Sequence, residues 1–157
     1  MNATVRTLRP HDRQTAMDLY SACFDAPWER IWTADEFANL LASPGCFGVM
    51  LIVGDQPSGL ALARVAADEA ELLTLGVVPA ARRRGGASRL LSTVGRRCRR
   101  RGARCIFLEV AEDNVPAQRL YEAHGFVAVG RRDNYFDRGL NGRIAAMVLR
   151  RDFHDNN

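Results

Sequence analysis

The sequence predicts a mixed α/β domain. Segments with strand and helix periodicity alternate along the chain. A buried strand, a helix and a second buried strand follow one another within about 40 residues, which is the pattern of a parallel β-α-β unit. No internal repeat or low-complexity linker divides the 157 residues, and 47% apolar residues suffice to fill one core. The reading is therefore a single domain spanning 1–157.

The elements follow from local signals. Residues 4–8 alternate as a first strand, and Ala16, Leu19, Tyr20 and Cys23 mark one face of a helix over about 12–23. An aromatic loop, Phe24-Asp25-Ala26-Pro27-Trp28, leads to Thr33-Ala34-Asp35-Glu36, a capping box that opens a helix reaching about Leu41. Strands over 46–53 and 59–67 are joined by Gly54-Asp55-Gln56-Pro57, and a third strand covers 71–78. Past Gly85-Gly86, the positions Ala87, Leu90, Leu91, Val94 and Cys98 define a helix that Gly102 stops. The apolar run 105–110 is a strand buried on both faces, 116–124 is a helix, and 126–136 with 144–149 form the last strand pair.

Composition narrows the function classes. The first residues carry no charged start followed by an apolar run, and no apolar stretch approaches the roughly 20 residues of a membrane helix, so a soluble protein is expected. Cys23, Cys46, Cys98 and Cys105 form no C-x-x-C pair, and His11, His124 and His154 are far apart. No metal site is expected, and reduced cysteines place the chain in the cytoplasm. All 22 basic residues are arginines, with a net charge of +4. The densest basic run, Arg96-Arg97-Cys98-Arg99-Arg100-Arg101, reads either as the solvated face of a helix or as a contact for RNA or a ribosome surface.

Three features carry chemistry. Between the strand ending at Val77-Val78-Pro79 and the following helix lies Arg82-Arg83-Arg84-Gly85-Gly86-Ala87, where free backbone N–H groups and the helix dipole favour an anion. Plain helix capping is the alternative, and the lysine and spacing of a P-loop are missing. Glu109 is the one charge within Ile106-Phe107-Leu108-Glu109-Val110, so it needs either an arginine partner or a catalytic task. Tyr121 shares a helical face with Ala117, Leu120 and His124, which makes it either core or a hydroxyl with a role.

Taken together, Leu75-x-Val77-x-Pro79, Arg82-x-x-Gly85-x-Ala87, Leu108-Glu109-Val110 and Asn114-x-x-Ala117-x-x-Leu120-Tyr121-x-x-x-Gly125-Phe126 resemble the GNAT superfamily of acyl-CoA N-acyltransferases. Within it, the likeness is closest to the bacterial enzymes that acetylate the N-terminal alanine of a ribosomal protein. The strong match covers residues 70–136. The resemblance implies a bent, mixed, mostly antiparallel sheet, flanked by helices, whose central parallel pair, 71–78 and 105–110, splays apart to admit acetyl-CoA.

In that reading the cofactor's arm pairs with the strand edge at Leu75, Gly76 and Val77. The amides of Arg82, Arg83, Arg84, Gly85, Gly86 and Ala87 hold its pyrophosphate, while Asn114, Ala117 and Tyr121 contact it further along. Glu109 matches the family's general base and Tyr121 its general acid. An α-amino group, with a pKa of about 7.7 to 8.0, needs less help to become neutral than a lysine near 10.4, which suits a protein N-terminus as acceptor. A small-molecule amine, a protein lysine, or a non-catalytic RNA-binding role remain alternatives. On the acceptor side the resemblance points to Trp28 or Trp32, the latter in Trp32-Thr33-x-x-x-Phe37, and to Tyr135 in Asn134-Tyr135-Phe136. Gly142-Arg143 stands where an acidic pair is usual, so Arg143 would present positive charge to an acceptor from that side.

Overall fold

The computed structural model describes residues 2–29 and 32–154. Seven strands form one sheet in the order β1-β2-β3-β4-β5-β7-β6: β1 Ala3–Thr7, β2 Cys46–Val53, β3 Gln56–Ala66, β4 Glu69–Val77, β5 Cys105–Ala111, β6 Val127–Asp137 and β7 Arg143–Asp152. The helices are α1 Arg13–Cys23, α2 Ala34–Ala42, α3 Gly86–Arg100 and α4 Val115–Ala123. All neighbouring strands are antiparallel except β4 and β5, the parallel pair that the sequence predicts.

The sheet is sandwiched because β2 and β3 are apolar on both faces. Val49, Leu51, Ala61 and Ala63 pack with Leu90, Leu91 and Val94 of α3. Alternate residues Met50, Leu60 and Leu62 pack on the other side with Ala16, Met17 and Leu19 of α1 and Phe37 and Leu41 of α2. Gly86 permits the α3 contact: a Cβ there would lie 2.6 Å from Leu51 Cδ2. The Thr33–Glu36 capping box forms at α2, with the Glu36 amide donating to Thr33 Oγ1 at 3.0 Å and the Thr33 amide to Glu36 Oε1 at 3.2 Å.

Two expectations about strand limits are corrected. The β2–β3 turn is only Gly54-Asp55, with φ of 52° and 65°, the two positive values that a tight hairpin turn needs. Gln56 and Pro57 therefore belong to β3, where a register shift between Leu51 and Ile52 accommodates the proline. The strand expected over 144–149 runs from Arg143 to Asp152, because it is paired on both sides, by β5 and by β6.

The splay of the parallel pair has a local cause. β4 pairs with β5 only at Glu69, Ala70 and Glu71, opposite Cys105, Ile106 and Phe107. On its other side, Ala63 faces Leu72 but Leu62 faces Thr74, so Leu73 is an extra residue in β4. Such a bulge bends the strand that carries it. The pairing with β5 ends where the bulge begins, and the edge of β4 from Leu72 to Val77 diverges from β5.

Candidate active site

The divergence opens a cavity of about 560 Å³. Leu72, Leu73, Thr74 and Leu75 of β4 form one wall, and Leu108, Glu109, Val110 and Ala111 of β5 the other. Asn114, Ala117 and Tyr121 reach it from α4, Tyr20, Phe24, Trp28 and Glu29 from the end of α1 and its loop, and Tyr135 to Arg138 from β6 and its end. Both catalytic candidates thus line one space.

Glu109 is held from two sides. Its Oε1 is 3.0 Å from Arg132 Nε, and its side chain keeps 22% exposure toward the cavity. The Tyr135 hydroxyl lies near the same carboxylate, and its interaction with Glu109, followed by burial, raises the Tyr135 pKa above the ordinary phenol value. The ion pair and the cavity position therefore coexist, and the two readings of Glu109 do not exclude one another. Tyr135 reaches Glu109 because β6 is distorted: Arg132 faces Ala146 and Phe136 faces Ile144, leaving a bulge in which Asn134 has φ 51°.

Tyr121 is buried, and its ring meets Phe126 edge-on at 5.6 Å between centroids. Among the described residues no buried side-chain polar atom lacks a partner, and none of them accepts from the Tyr121 hydroxyl. That oxygen must therefore be accessible from the cavity. Burial pushes its pKa up to about 12, so the phenol stays protonated at neutral pH.

Beyond the end of β4, a short 3-10 turn at Pro79–Ala81 leads into the glycine-arginine segment. Arg83 has φ 64° and Gly85 φ 78°, left-handed values that an arginine adopts only at a cost. Among the described residues, the N–H groups of Arg83, Arg84, Gly85, Gly86, Ala87 and Ser88 have no acceptor. A Cβ on Gly85 would meet no atom within 4 Å, so space is open above the turn. Arg82 is the exception to the expected set: its N–H donates to the Pro79 carbonyl at 3.3 Å, and its Nε to that of Val77 at 2.9 Å. His124 Nε2 lies 3.1 Å from Ser88 Oγ and ties the end of α4 to the start of α3.

The remaining sequence candidates divide. Asn114 lines the cavity and caps α4, its Oδ1 accepting from the Ala117 amide at 3.3 Å. Gly76 and Val77 are buried; a Cβ on Gly76 would lie 2.9 Å from Cys23 Cβ, so that glycine lets α1 approach β4. Trp28 lines the cavity beneath the Arg138 guanidinium, 5.3 Å from its ring centre, whereas Trp32 lines a separate pocket of about 110 Å³ with Tyr20 and Phe37. Arg143 stands just outside the cavity. It does not line the cavity, its side chain is exposed, and Nη2 lies 3.9 Å from Asp137 Oδ2, which offsets the expected positive charge.

Sequence reasoning missed Arg132, Glu29 and Arg138. Arg138 makes a two-pronged ion pair with Asp113 at 2.8 and 3.0 Å and attracts Glu29, whose pKa burial raises. Only the need of Glu109 for a partner pointed toward an arginine. No described cluster of three or more His, Cys, Asp or Glu residues suits a metal ion, and no described helix is long and apolar enough to cross a membrane.

A splayed parallel pair, a helix start with free amides and a carboxylate and phenol in the cleft define an acyl-CoA transferase type of site. The model of the Acetyltransferase (GNAT) family matches residues 13–126, and the chain belongs to that family. It is an acetyl-CoA-dependent N-acetyltransferase. The chain is 34% identical over 158 residues to the N-alpha-acetyltransferase RimI of Mycobacterium tuberculosis, covering 97% of this chain and 94% of that one. It is 28% identical over 147 residues to the ribosomal protein bS18-alanine N-acetyltransferase of Haemophilus ducreyi, covering 92% and 97%. Its fold matches the crystal structure of the ribosomal-protein-S18-alanine N-acetyltransferase from Escherichia coli with a TM-score of 0.85 at 24% identity over 99% of both chains.

Proposed function

We propose that the chain, acting as one domain in the cytoplasm, acetylates the α-amino group of a protein N-terminus, with a ribosomal protein beginning with alanine as the favoured acceptor. The relative at 28% identity is named a ribosomal protein bS18-alanine N-acetyltransferase and the one at 34% an N-alpha-acetyltransferase, which supports that acceptor class. The observation that carries the chemistry is one cavity holding both the Glu109 carboxylate and a Tyr121 hydroxyl without a partner among the described residues. The four cysteines are all unpaired, in keeping with a reducing compartment.

The residues present fit acetyl-CoA. The free amides of Arg83 to Ala87, the open space above Gly85 and the helix dipole suit a pyrophosphate. The unpaired edge of β4 at Leu75 to Val77 suits an amide-bearing arm, and Asn114 and Ala117 face it from α4. The bound thioester supplies an acyl carbon open to attack. Glu109, directly or through a water, takes a proton from the acceptor ammonium, and the neutral nitrogen forms the new N–C bond. As the C–S bond breaks, the Tyr121 hydroxyl hydrogen-bonds to the departing sulfur, and the second proton, lost from the nitrogen as the amide forms, passes to the thiolate or to solvent. Trp28, Glu29 and Tyr135 border the acceptor end, where the carboxylates of Glu29 and Glu109 favour a positive amine.

The test is steady-state acetyl transfer from acetyl-CoA to peptides with a free N-terminal alanine, beside N-blocked lysine peptides, polyamines and aminoglycosides. The reading expects kcat/KM for the N-terminal alanine peptide to exceed that for every other acceptor. A higher value for any lysine or small-molecule amine would replace the acceptor assignment.

A further inference from the structure

A second surface lies on the outer side of α3, apart from the cleft. Its sequence, GASRLLSTVGRRCRR, contains no acidic residue. At 3.6 residues per turn, Arg96 and Arg100 fall within about 20° of the direction of Arg89, so the three form a line along one helical face. With Arg97, Ser88, Ser92 and Thr93 they border a groove of about 480 Å³. The arginines already spend some donors locally: Arg89 on the Ala3 carbonyl, Arg96 on Thr93 and Arg97 on Thr7. Among the described residues, none of Arg89, Arg96, Arg97 and Arg100 has a carboxylate within ion-pair distance. Their mutual repulsion is felt, because burial and then Arg101, Arg100 and Arg96 lower the pKa of Arg97.

We infer that this groove binds the phosphate backbone of a single-stranded RNA. Arg89 to Arg100 spans eleven residues, or roughly 16 Å. Over that length a single nucleic-acid strand presents several phosphates, more than a single phosphate monoester supplies. The groove is bordered by arginines and hydroxyls with Val5 as its one apolar side chain, so it lacks the apolar face that a helix needs to lie in a membrane surface. Ser92 stands between the guanidinium groups, where its hydroxyl can donate to phosphate or to the ribose 2′-OH, while the Thr93 hydroxyl donates to the Arg89 carbonyl and Ser88 meets His124. The inference does not rest on the acceptor proposed above, since no residue of this groove borders the cleft.

The experiment titrates the full-length protein against a fluorescein-labelled 12-nucleotide RNA by anisotropy at several salt concentrations. With three to four phosphate contacts, log K should fall with log salt with a slope of about −2 to −3. Arg96→Gln/Arg100→Gln should weaken binding by at least about tenfold and reduce the slope by about 1.4, while acetyl transfer stays at the parent rate. A charge-matched control, Arg64→Gln/Arg119→Gln, should bind within about threefold of the parent. Should the first double variant fail to fold, Arg89→Gln/Arg100→Gln tests the same line. Parent-like binding by a folded variant would overturn the inference. So would displacement of the RNA by a nucleoside 3′-phosphate at equal phosphate concentration, or tighter binding to vesicles of anionic lipid.

Discussion

Replacing Tyr121 by Phe separates packing from chemistry, because the ring is buried against Phe126 while the hydroxyl has no partner among the described residues. An ordinary buried tyrosine would lose about 0.5 to 1.5 kcal/mol with its hydrogen bond. Here no such bond is broken, so the melting temperature should stay within experimental error of the parent. The catalytic effect is worked out differently. With its pKa at about 12, the phenol is fully protonated at pH 7, and handing the proton outright to a thiolate near 8.5 would be uphill by about 5 kcal/mol. Its contribution is therefore a hydrogen bond to charge building on sulfur as the C–S bond breaks. Removing one such donor typically costs about 100-fold to 1,000-fold in kcat, and a water in the vacated space recovers part of it. Tyr121→Phe should thus lose at least about 30-fold in kcat, or about 2 kcal/mol of barrier, with acetyl-CoA affinity kept within a few-fold. The assay is kcat with a working peptide acceptor, beside calorimetric titration of acetyl-CoA on the same preparation. A kcat within about threefold of the parent would return Tyr121 to the core and leave the sulfur to solvent.

Three further perturbations test other parts of the site and fold. Glu109→Gln keeps the shape that Arg132 and Tyr135 grip but removes the base, so kcat/KM below neutral pH should fall by about 100-fold and partly recover as the amine deprotonates unaided; a parent-like pH profile would confine Glu109 to its ion pair. Gly85→Ala places a methyl in the open space above the turn at φ 78°, costing about 1 kcal/mol of stability, and should weaken acetyl-CoA binding by at least about tenfold; unchanged titrations on folded protein would remove the pyrophosphate from this turn. Asp12, which takes two guanidinium bonds from Arg6 and one from the Arg9 amide, has its pKa lowered from 3.8 to about 2, first by the Arg6 hydrogen bond. A depressed carboxyl pKa stabilises the fold above the unfolded value and loses that effect as pH falls through the folded one. Asp12→Asn should therefore cost about 1 kcal/mol at pH 7, and the difference from the parent should close between about pH 4 and pH 2, as followed by urea melts.

The fold was legible wherever local chemistry decides an element. Thr33 and Glu36 announce the start of α2, and the apolar run at Cys105–Ala111 announces a strand with neighbours on both sides. The alternation in β2 and β3 was harder to use, because both faces are buried and the pattern does not say which helix covers which face. Strand ends were misplaced where a neighbour sets them. Pro57 sits inside β3 because a register shift absorbs it, and β7 runs to Asp152 because Cys105 pairs there. The extra residue Leu73, which bends β4 and opens the cleft, carries no mark in Leu72-Leu73-Thr74. Only the resemblance implied that the pair splays.

The same distinction runs through the site. The donor side is written locally: Gly85 at a left-handed position, Gly86 under Leu51, and amides at a helix start follow from a handful of adjacent residues. The acceptor side is assembled at long range. Trp28 is placed by Arg138, Arg138 by Asp113, and Tyr135 by a bulge whose one local sign is Asn134, a residue that tolerates positive φ. Tryptophan spacing could not separate Trp28 from Trp32, because the choice depends on which side of Tyr20 each ring falls: Tyr20 lines both the cleft and the smaller pocket that holds Trp32. Glu109 joins the two sides. It sits on a β5 position fixed by pairing with Val148, yet its carboxylate is oriented by Arg132 and Tyr135 from the distorted edge strand. Acceptor residues on β6 therefore touch the proposed base directly. Substitutions made there to alter the acceptor will alter the pH dependence of the rate as well, whereas substitutions in the glycine turn will change only the binding of the donor.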